Sequence, residues 1–145
     1  MESSAPIDPH GVWTRRGDKV YLCGTLGAAF DQWQRSRAAV SAAEAYEAQV
    51  YGLNEVEKLM DELEAEARAE VEASGEERLL PRRSPGYGAM PLEQSQEIID
   101  VLDATNRVGV ALTESLLLVP TKSVTAICEV TRFDEAKKTR REIMV

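Results

Sequence analysis

The sequence has little histidine and cysteine, which narrows the classes of function it can have. Its one histidine, His10, lies near the start, so no serine–histidine or cysteine–histidine arrangement for acyl transfer or hydrolysis can be built. Cys23 and Cys128 are far apart in sequence and lack metal-site spacing, which predicts two reduced, buried thiols. We therefore expect no autonomous catalysis, no metal site and no disulfide.

The chain also lacks a long apolar run, a secretory signal and an excess of basic residues. No uninterrupted apolar stretch approaches the ~20 residues that a membrane span requires. The start, MESSAPIDPHG, has neither a basic nor an apolar signal region. The net charge of -8 argues against nonspecific nucleic-acid binding, which depends on clustered Lys and Arg. We expect a cytoplasmic protein that binds neither membrane nor nucleic acid.

What is present fits one domain over residues 1–145. The hydrophobic fraction of 43% and the charged fraction of 29% are typical of a globular protein with a sizeable core. A flexible start is expected over about residues 1–17. The tail, about residues 132–145, has five basic residues against three acidic ones and is expected to form a solvated helix end.

The first half of the chain reads as a strand followed by two helices. A β-prone run at residues 20–23 leads through the glycines of LCGTLG into a helix at 28–40. Ser41 and Glu44 have capping-box spacing for a second, long helix that ends at Ser74 and Gly75. The acidic run at 61–77 is interpreted as its solvated face. The apolar face of this helix is marked by Tyr46, Leu53, Val56, Met60, Leu63, Ala67 and Val71.

The second half ends in β structure. Pro91 suits the first turn of a helix that runs to about Asp103, and Asn106 can stop it. Two β segments follow, at 108–120 and 122–131, joined across Pro120 and Thr121. Because strands follow helices instead of alternating with them, the order favours an α+β fold.

Between the halves lies the loop RRSPGYGAMPLEQ, residues 82–94. A plain loop explains it, since Gly and Pro are common in turns. The alternative is a binding loop, in which Gly86 and Gly88 let the backbone approach a ligand, Pro85 stiffens the loop, and Tyr87 and an arginine bind something flat or anionic. On composition alone the plain loop is favoured.

Residues 82–130 resemble the activation domain of cobalamin-dependent methionine synthase, in particular its small stand-alone relatives. Three motifs match in the right order: Arg-x-x-x-Gly-Tyr at 82–87, Leu-Thr-Glu-Ser at 112–115 and Pro-Thr-Lys-Ser-Val at 120–124. Upstream, LCGTLG and SAAEAYEAQVYGLNEVEKLMDEL are similar to the strand, glycine turn and paired helices of the same family. The resemblance covers about three quarters of the chain and reverses the preference for a plain loop.

The resemblance implies helices packed on a small, mainly antiparallel sheet, and a module that binds S-adenosylmethionine. Such a module supports reductive remethylation of cob(II)alamin, with the cobalamin held by a partner methionine synthase or corrinoid protein. An electron comes from flavodoxin or a similar donor. The alternative is a non-catalytic interaction subunit of a corrinoid protein that has lost ligand binding.

The resemblance also implies roles for individual residues. Arg82 would contact the methionyl carboxylate, Ser84 and Gly86 would offer backbone groups, and Tyr87 would pack near the ligand. A guanidinium fork suits a carboxylate, and close backbone approach suits glycine.

Two glutamates are nominated as acidic partners of the cationic ligand. Glu57 is placed by register with the family helix, and its alternative reading is an exposed helix residue. Glu114 lies inside an apolar β run, where a charge is costly to bury unless it is paired. Lys122 would pair with Glu114, meet the corrinoid surface, or simply be solvated in its turn.

Compared with fuller family members, the sequence is expected to be shortened at its N-terminus, since only about two dozen residues precede TLG. A methionine synthase aspartate from that segment and a later tyrosine have no assigned counterpart here. The shortening predicts that residues 20–23 form an unprotected edge strand, and such edges pair with other chains. We therefore expect a homodimer or an obligate partner chain.

Overall fold

The computed structural model describes residues 5–133, which form an α+β fold. Its main sheet contains β1 (His10–Arg16), β2 (Lys19–Thr25), β3 (Glu77–Leu79) and β6 (Ser123–Arg132) in the order β1-β2-β6-β3, with antiparallel neighbours. The helices are α1 (Ala28–Val40), α2 (Ala42–Val71), α3 (Gln94–Leu102) and α4 (Ala104–Val108). A separate hairpin joins β4 (Ala111–Leu112) to β5 (Leu118–Val119). The predicted class, helices on a small antiparallel sheet, is confirmed.

The two ends of the chain had been predicted to lie outside the core. The prediction of a flexible start is wrong for residues 10–16. These residues form β1, which pairs with β2 along its whole length, from His10 opposite Thr25 to Arg16 opposite Lys19. Val12 is buried in the core. The predicted basic tail lies almost entirely outside the described residues.

The sheet is covered on both faces, which explains why β2 reads as a continuous apolar run. Val20 and Leu22 pack with α2, whereas Tyr21 and Cys23 pack with α3 and α4. Alternate residues of a strand point to opposite faces, so both sets of side chains are buried. The sheet is therefore the middle layer of the domain.

Helices α1 and α2 begin and end where the sequence indicates. Helix α1 spans the predicted residues, and Ser41 separates it from α2, accepting a hydrogen bond on its Oγ from the Glu44 amide at 3.1 Å. The Glu44 carboxylate pairs with Arg37 of α1. After a short 3-10 helix, Gly75 adopts a φ of 78°, the left-handed conformation expected at a helix end.

The predicted apolar face of α2 is correct for its C-terminal part and wrong for its N-terminal part. Val56, Met60, Leu63, Ala67 and Val71 are buried, but Tyr46 and Leu53 are exposed. The N-terminal half of α2 therefore carries apolar side chains that the described residues do not cover.

Within residues 5–133, no helix combines the length and apolar character needed to cross a membrane.

The region between residues 91 and 120 differs from its prediction. Helix α3 begins at Gln94, three residues after Pro91. A separate short helix, α4, follows it and is capped at its C-terminus by Gly109 (φ 73°). Asn106 lies inside α4 and is not the stop. The first predicted β segment contains only β4 and β5, two residues each, because residues 113–117 form the turn between them.

The predicted edge strand is also wrong, because β2 lies between β1 and β6. The edges of the sheet are β1 and β3, and they curl toward each other. Arg15 of β1 makes two hydrogen bonds with Glu77 of β3, at 2.9 and 2.6 Å. This arginine lowers the pKa of Glu77. The homodimer was predicted from an unprotected edge at residues 20–23, and that reason for it is removed.

The two cysteines are unpaired and buried, as predicted. Cys23 packs on the α3 side of the sheet and Cys128 on the α2 side, so a disulfide between them is excluded by geometry. Burial raises the pKa of both thiols to about 12. Neither thiol is a reactive nucleophile at neutral pH.

Candidate functional site

A cleft of about 1020 Å³ lies between α2, the 81–92 loop and the β4–β5 hairpin. This volume is at the top of the range of about 300–1,000 Å³ that small-molecule sites occupy. The first residues of β6 also line it. Apolar side chains contribute much of the surface: Leu53, Val56, Leu92, Leu116, Leu117, Leu118, Val119 and Val124. The cleft is the candidate binding site.

The 81–92 loop is fixed at its start by the edge of β6. Arg83 forms an antiparallel bridge with Ile127, with both N–H···O distances at 2.9 Å. The loop then turns, and the Gly86 amide donates to the Met90 carbonyl at 2.9 Å. Gly86 has a φ of 91°, and a Cβ there would lie 2.8 Å from Leu92 Cδ2. Glycine is therefore favoured at position 86 by its backbone conformation, and any larger residue would also displace the Leu92 side chain.

Arg82 projects from this loop onto three carboxylates of α2. Its Nη2 lies 2.7 Å from Glu57, and its Nη1 lies 2.8 Å from Asp61 and 2.9 Å from Glu64. Burial lowers the pKa of Arg82, but the hydrogen bonds to Asp61, Glu64 and Glu57 outweigh it and raise the pKa above its usual value. Arg82 thus connects the loop to α2, and its single guanidinium pairs with three carboxylates.

The hairpin on the other wall is held by Thr113. Its amide donates to the Leu117 carbonyl at 2.8 Å, and its hydroxyl accepts from the Leu117 amide at 3.1 Å. Leu116 lies inside this turn and lines the cleft with a φ of 64°, an uncommon conformation for a bulky residue. Such strain costs about 1–3 kcal/mol and is typical of ligand sites.

Where β6 begins, its hydroxyl side chains line the cleft. Ser123 Oγ lies 2.8 Å from Thr25 Oγ1 and 2.6 Å from the Pro120 carbonyl oxygen. Thr125 Oγ1 lies 3.5 Å from Ser95 Oγ. All of these hydroxyl residues are buried. The buried end of the cleft is therefore polar, while its rim is apolar.

Lys122 lies beside this polar end and is only 7% exposed. Its Nζ donates to Gln49 Oε1 of α2 at 2.6 Å. Burial lowers the pKa of Lys122, and the nearby Asp31 carboxylate raises it in opposition. Glu114, the partner nominated from the sequence, is exposed in the hairpin turn and forms no ion pair among the described residues.

Four of the six nominated residues line the cleft: Arg82, Ser84, Tyr87 and Glu57. Gly86 lies between lining residues without lining the cleft itself, and Glu114 does not line it. The expectation that Glu114 sits inside a β run is wrong, because residues 113–117 form a turn.

Sequence reasoning missed Glu64 and the hydroxyl residues. Glu64 lies seven residues after Glu57, two helical turns further along the same face of α2, so helical spacing from Glu57 could have indicated it. Ser123 lies inside the Pro-Thr-Lys-Ser-Val motif, which could have indicated it. No comparable signal marks Thr125, because small hydroxyl residues are common in strands.

The fold and the cleft define the class of protein. It is an α+β domain with a candidate binding cleft bounded by a glycine loop, a long helix and a short hairpin. Comparison with known proteins gives its family. Residues 37–134, about two thirds of the chain, match the vitamin B12 dependent methionine synthase activation domain. The chain belongs to this family. The resemblance drawn from its three motifs is confirmed.

One solved structure similar in fold is the crystal structure of the MetH reactivation domain bound to AdoHcy. The match has a TM-score of 0.61 and 18% sequence identity, and it covers 77% of this chain and 38% of that one. The chain therefore spans well under half the length of the matched structure. No curated protein matches the sequence.

Proposed function

We propose that this chain binds S-adenosylmethionine in the cleft and presents its methyl group for the reductive reactivation of cob(II)alamin. The cobalamin is held by a cobalamin-dependent methionine synthase or a related corrinoid methyltransferase. A flavodoxin-like protein supplies the electron. Membership of the activation domain family supports the general role, and the AdoHcy of the structural relative supports an adenosyl ligand.

The observation that carries this proposal is the convergence of three distant motifs on one cleft. Lining residues come from 82–87, from Thr113 in the second motif and from 121–124 in the third. Glu57 and Glu64 place negative charge on the wall of this cleft, which suits a ligand with a sulfonium and an ammonium group. Tyr87, at the rim and 77% exposed, offers a ring against which a flat base can pack.

The other nominated residues have narrower proposed roles. Ser84 and Gly86 contribute backbone groups, although the Gly86 amide already donates to Met90. Arg82 can contact a ligand carboxylate only by exchanging one of its three carboxylate partners. Glu114 can contact only a ligand or partner surface that reaches the hairpin turn.

In the proposed reaction this chain contributes binding and orientation. One external electron reduces cob(II)alamin, the S–CH3 bond of the sulfonium breaks, a Co–CH3 bond forms, and S-adenosylhomocysteine leaves. Holding the methyl group in line with the acceptor makes the step effectively unimolecular, which can lower a barrier by several kcal/mol. Leu53, Leu117 and Val119 give the cleft an apolar surface for the uncharged parts of the ligand.

Tyr87→Ala is expected to weaken S-adenosylmethionine binding roughly tenfold, since an aromatic contact contributes about 0.5–1.5 kcal/mol beyond its burial. Isothermal titration calorimetry measures this. The matched control is Tyr46→Ala, because Tyr46 has a similar exposure of 71% but lies on α2 and does not line the cleft. Equal affinities for the two variants would remove Tyr87 from the site.

The engagement of Arg82 by three carboxylates favours a second candidate function, an interaction subunit without a ligand. In that case wild-type protein would show no saturable heat with S-adenosylmethionine. It would still bind the corrinoid partner. The same titration therefore separates the two candidates.

Conversion of cob(II)alamin to methylcobalamin in a partner methyltransferase should require this protein, S-adenosylmethionine and a low-potential electron source together. The visible absorption spectrum of the corrinoid follows the reaction. Tyr87→Ala should slow it at subsaturating S-adenosylmethionine, and Tyr46→Ala should not. An undiminished rate with this protein omitted would overturn the proposed reaction.

A further inference from the structure

The turn of the β4–β5 hairpin places a leucine where the backbone favours glycine. Residues 114–116 form its tip, which is closed by hydrogen bonds from the Leu116 amide to the Thr113 carbonyl at 2.9 Å and from the Thr113 amide to the Leu117 carbonyl at 2.8 Å. The last residue of such a three-residue turn adopts the left-handed conformation and is usually glycine. Here it is Leu116, with a φ of 64°. The turn therefore contains a residue that strains it.

The needs of the backbone do not explain this leucine. Within residues 5–133, Asp103 is the one other non-glycine residue with a positive φ. A short polar side chain such as that of aspartate tolerates the conformation because it can form a local hydrogen bond, which leucine cannot do. A reason for Leu116 has to come from what its side chain contacts.

Packing in the core does not explain Leu116 either. Leu112 and Leu118 of the same hairpin pack against the core cluster around α3. Leu116 belongs to none of the hydrophobic clusters of the described residues, and its half-buried side chain lines the cleft. A rule of turn chemistry that is broken without a gain for the fold is typical of a functional position.

The cleft wall around Leu116 is uncharged. The hairpin contributes one hydroxyl residue and four apolar residues to the lining: Thr113, Leu116, Leu117, Leu118 and Val119. The charged lining residues of the described chain come from other elements: Glu57, Glu64, Arg82, Arg83 and Lys122. S-adenosylhomocysteine has the same division, since both of its charges lie on the amino-acid portion and its adenosyl group is neutral. The hairpin is thus the wall that suits the adenosyl group.

We propose that Leu116 is a specificity-determining residue, whose side chain is held in the cleft by the strained turn and contacts the adenosyl group of the ligand. The inference rests on the proposed function, because it takes an adenosyl ligand as given. The hydrogen-bonded turn fixes the backbone of Leu116 before the ligand arrives, so less freedom is lost on binding. The strain also lowers the stability of the hairpin, which gives the inference a second measurable consequence.

The binding test uses two ligands that share the adenosyl group. S-adenosylhomocysteine has the charged amino-acid portion, and 5′-methylthioadenosine lacks it. Leu116→Gly and Leu116→Ala should each weaken the binding of both ligands about tenfold, the lower end of the range for an apolar group lost from a pocket. Leu116→Met, which keeps an apolar side chain of similar volume, should stay within about threefold of wild type. Isothermal titration calorimetry measures the dissociation constants.

The stability test uses the same variants. At ordinary positions glycine is less stabilising than alanine, because it adds conformational freedom to the unfolded chain. At a left-handed position the order is reversed, since alanine retains the strain and glycine does not. Leu116→Gly should therefore unfold at a higher urea concentration than Leu116→Ala.

Ser115 provides the matched control in the same turn. It is exposed, has no positive φ and does not line the cleft. Ser115→Gly should unfold at a lower urea concentration than Ser115→Ala, and both variants should bind the two ligands as wild type does. This control separates the left-handed conformation at position 116 from a general effect of glycine on the turn.

The outcomes separate this inference from the proposed function. Equal loss of both ligands in Leu116→Gly and Leu116→Ala, retained binding in Leu116→Met and the reversed order of stability support the assignment. Unchanged affinities, or loss of S-adenosylhomocysteine alone, overturn it and leave the proposed function intact. A Leu116→Gly protein that is less stable than Leu116→Ala also overturns it, because the strain is then absent. Wild-type protein that binds neither ligand overturns both proposals.

Discussion

Phe30→Ala should lower the free energy of unfolding by about 3–5 kcal/mol, the range for truncating a buried aromatic side chain. Phe30 is fully buried, and its ring centroid lies 5.4 Å from Trp33 and 6.3 Å from Tyr51. It also packs directly against the backbone of α2 at Gly52. A cavity there removes packing contacts between α1 and α2. Urea unfolding followed by circular dichroism measures the loss.

Phe133→Ala is the matched control, since the chain has two phenylalanines and the second is exposed. Phe133 lies just beyond β6 with the Arg78 guanidinium carbon 5.7 Å from its ring centroid. Such an exposed cation–π contact contributes about 0.5–1 kcal/mol, so the control should cost no more than about 1 kcal/mol. Similar losses in the two variants would contradict the assignment of Phe30 to the core that supports the cleft.

Arg82→Met should be the next most damaging change, lowering the free energy of unfolding by about 2–3 kcal/mol. The estimate lies between an exposed ion pair, worth about 0–1 kcal/mol, and removal of one member of a buried pair, about 3–5 kcal/mol. The side chains of Arg82 and Glu64 are only 17% and 13% exposed, and the variant leaves Glu64 beside Glu57 and Asp61 with Arg68 as its remaining ion-pair partner. The same urea unfolding experiment measures this.

Arg83→Met provides the control one residue along the chain. The Arg83 side chain is 57% exposed and pairs with Glu129, so its removal should cost less than about 1 kcal/mol. High salt should reduce the difference between wild type and Arg82→Met only partly, because partly buried pairs are less screened than exposed ones. If Arg82→Met unfolds no more easily than Arg83→Met, Arg82 is not the tie between loop and helix.

The sequence predicted individual helices and strands best where the spacing of apolar residues was regular or a run was clearly β-prone. Helix α1 and the start of α2 follow from three- and four-residue spacing and from the Ser41 cap, whose energetics are local. The strand at 20–23 was indicated by its β-prone run, and burial on both faces explains the absence of alternation. The two helix starts depend on few interactions beyond their own neighbourhood, whereas the strand was indicated by its composition alone.

The elements that were missed depend on partners distant in sequence. Residues 10–16 contain polar and charged side chains and form β1 only because β2 offers its free edge. The apolar run at 108–120 suggested a continuous strand, but Thr113 and Leu116 close it into a hairpin. A backbone with φ of 64° at a leucine cannot be inferred from residue type.

The site was predicted chiefly by resemblance, and the structure adds contacts that the resemblance did not indicate. Arg82 was predicted to contact the ligand, and the structure shows in addition that it pairs with Glu57, Asp61 and Glu64. Pairing of a loop residue with residues on a separate helix is a tertiary fact that spacing along one chain does not reveal. The sequence context of Lys122 allowed several predicted roles. Only its burial beside Gln49 distinguishes it from a solvated lysine in a turn.

The position of β6 at the centre of the sheet bears on how the chain folds. β6 pairs with β2 across about 100 residues of intervening chain, for example Thr25 with Ser123, and within residues 5–133 β3 pairs only with β6. Until β6 has been synthesised, β1 and β2 form an isolated hairpin, which is marginally stable in water. Closing so long a loop carries a large entropic cost before any contact is gained, and high contact order slows folding. The helical hairpin of α1 and α2 can form early, but the cleft can be assembled only in the last step.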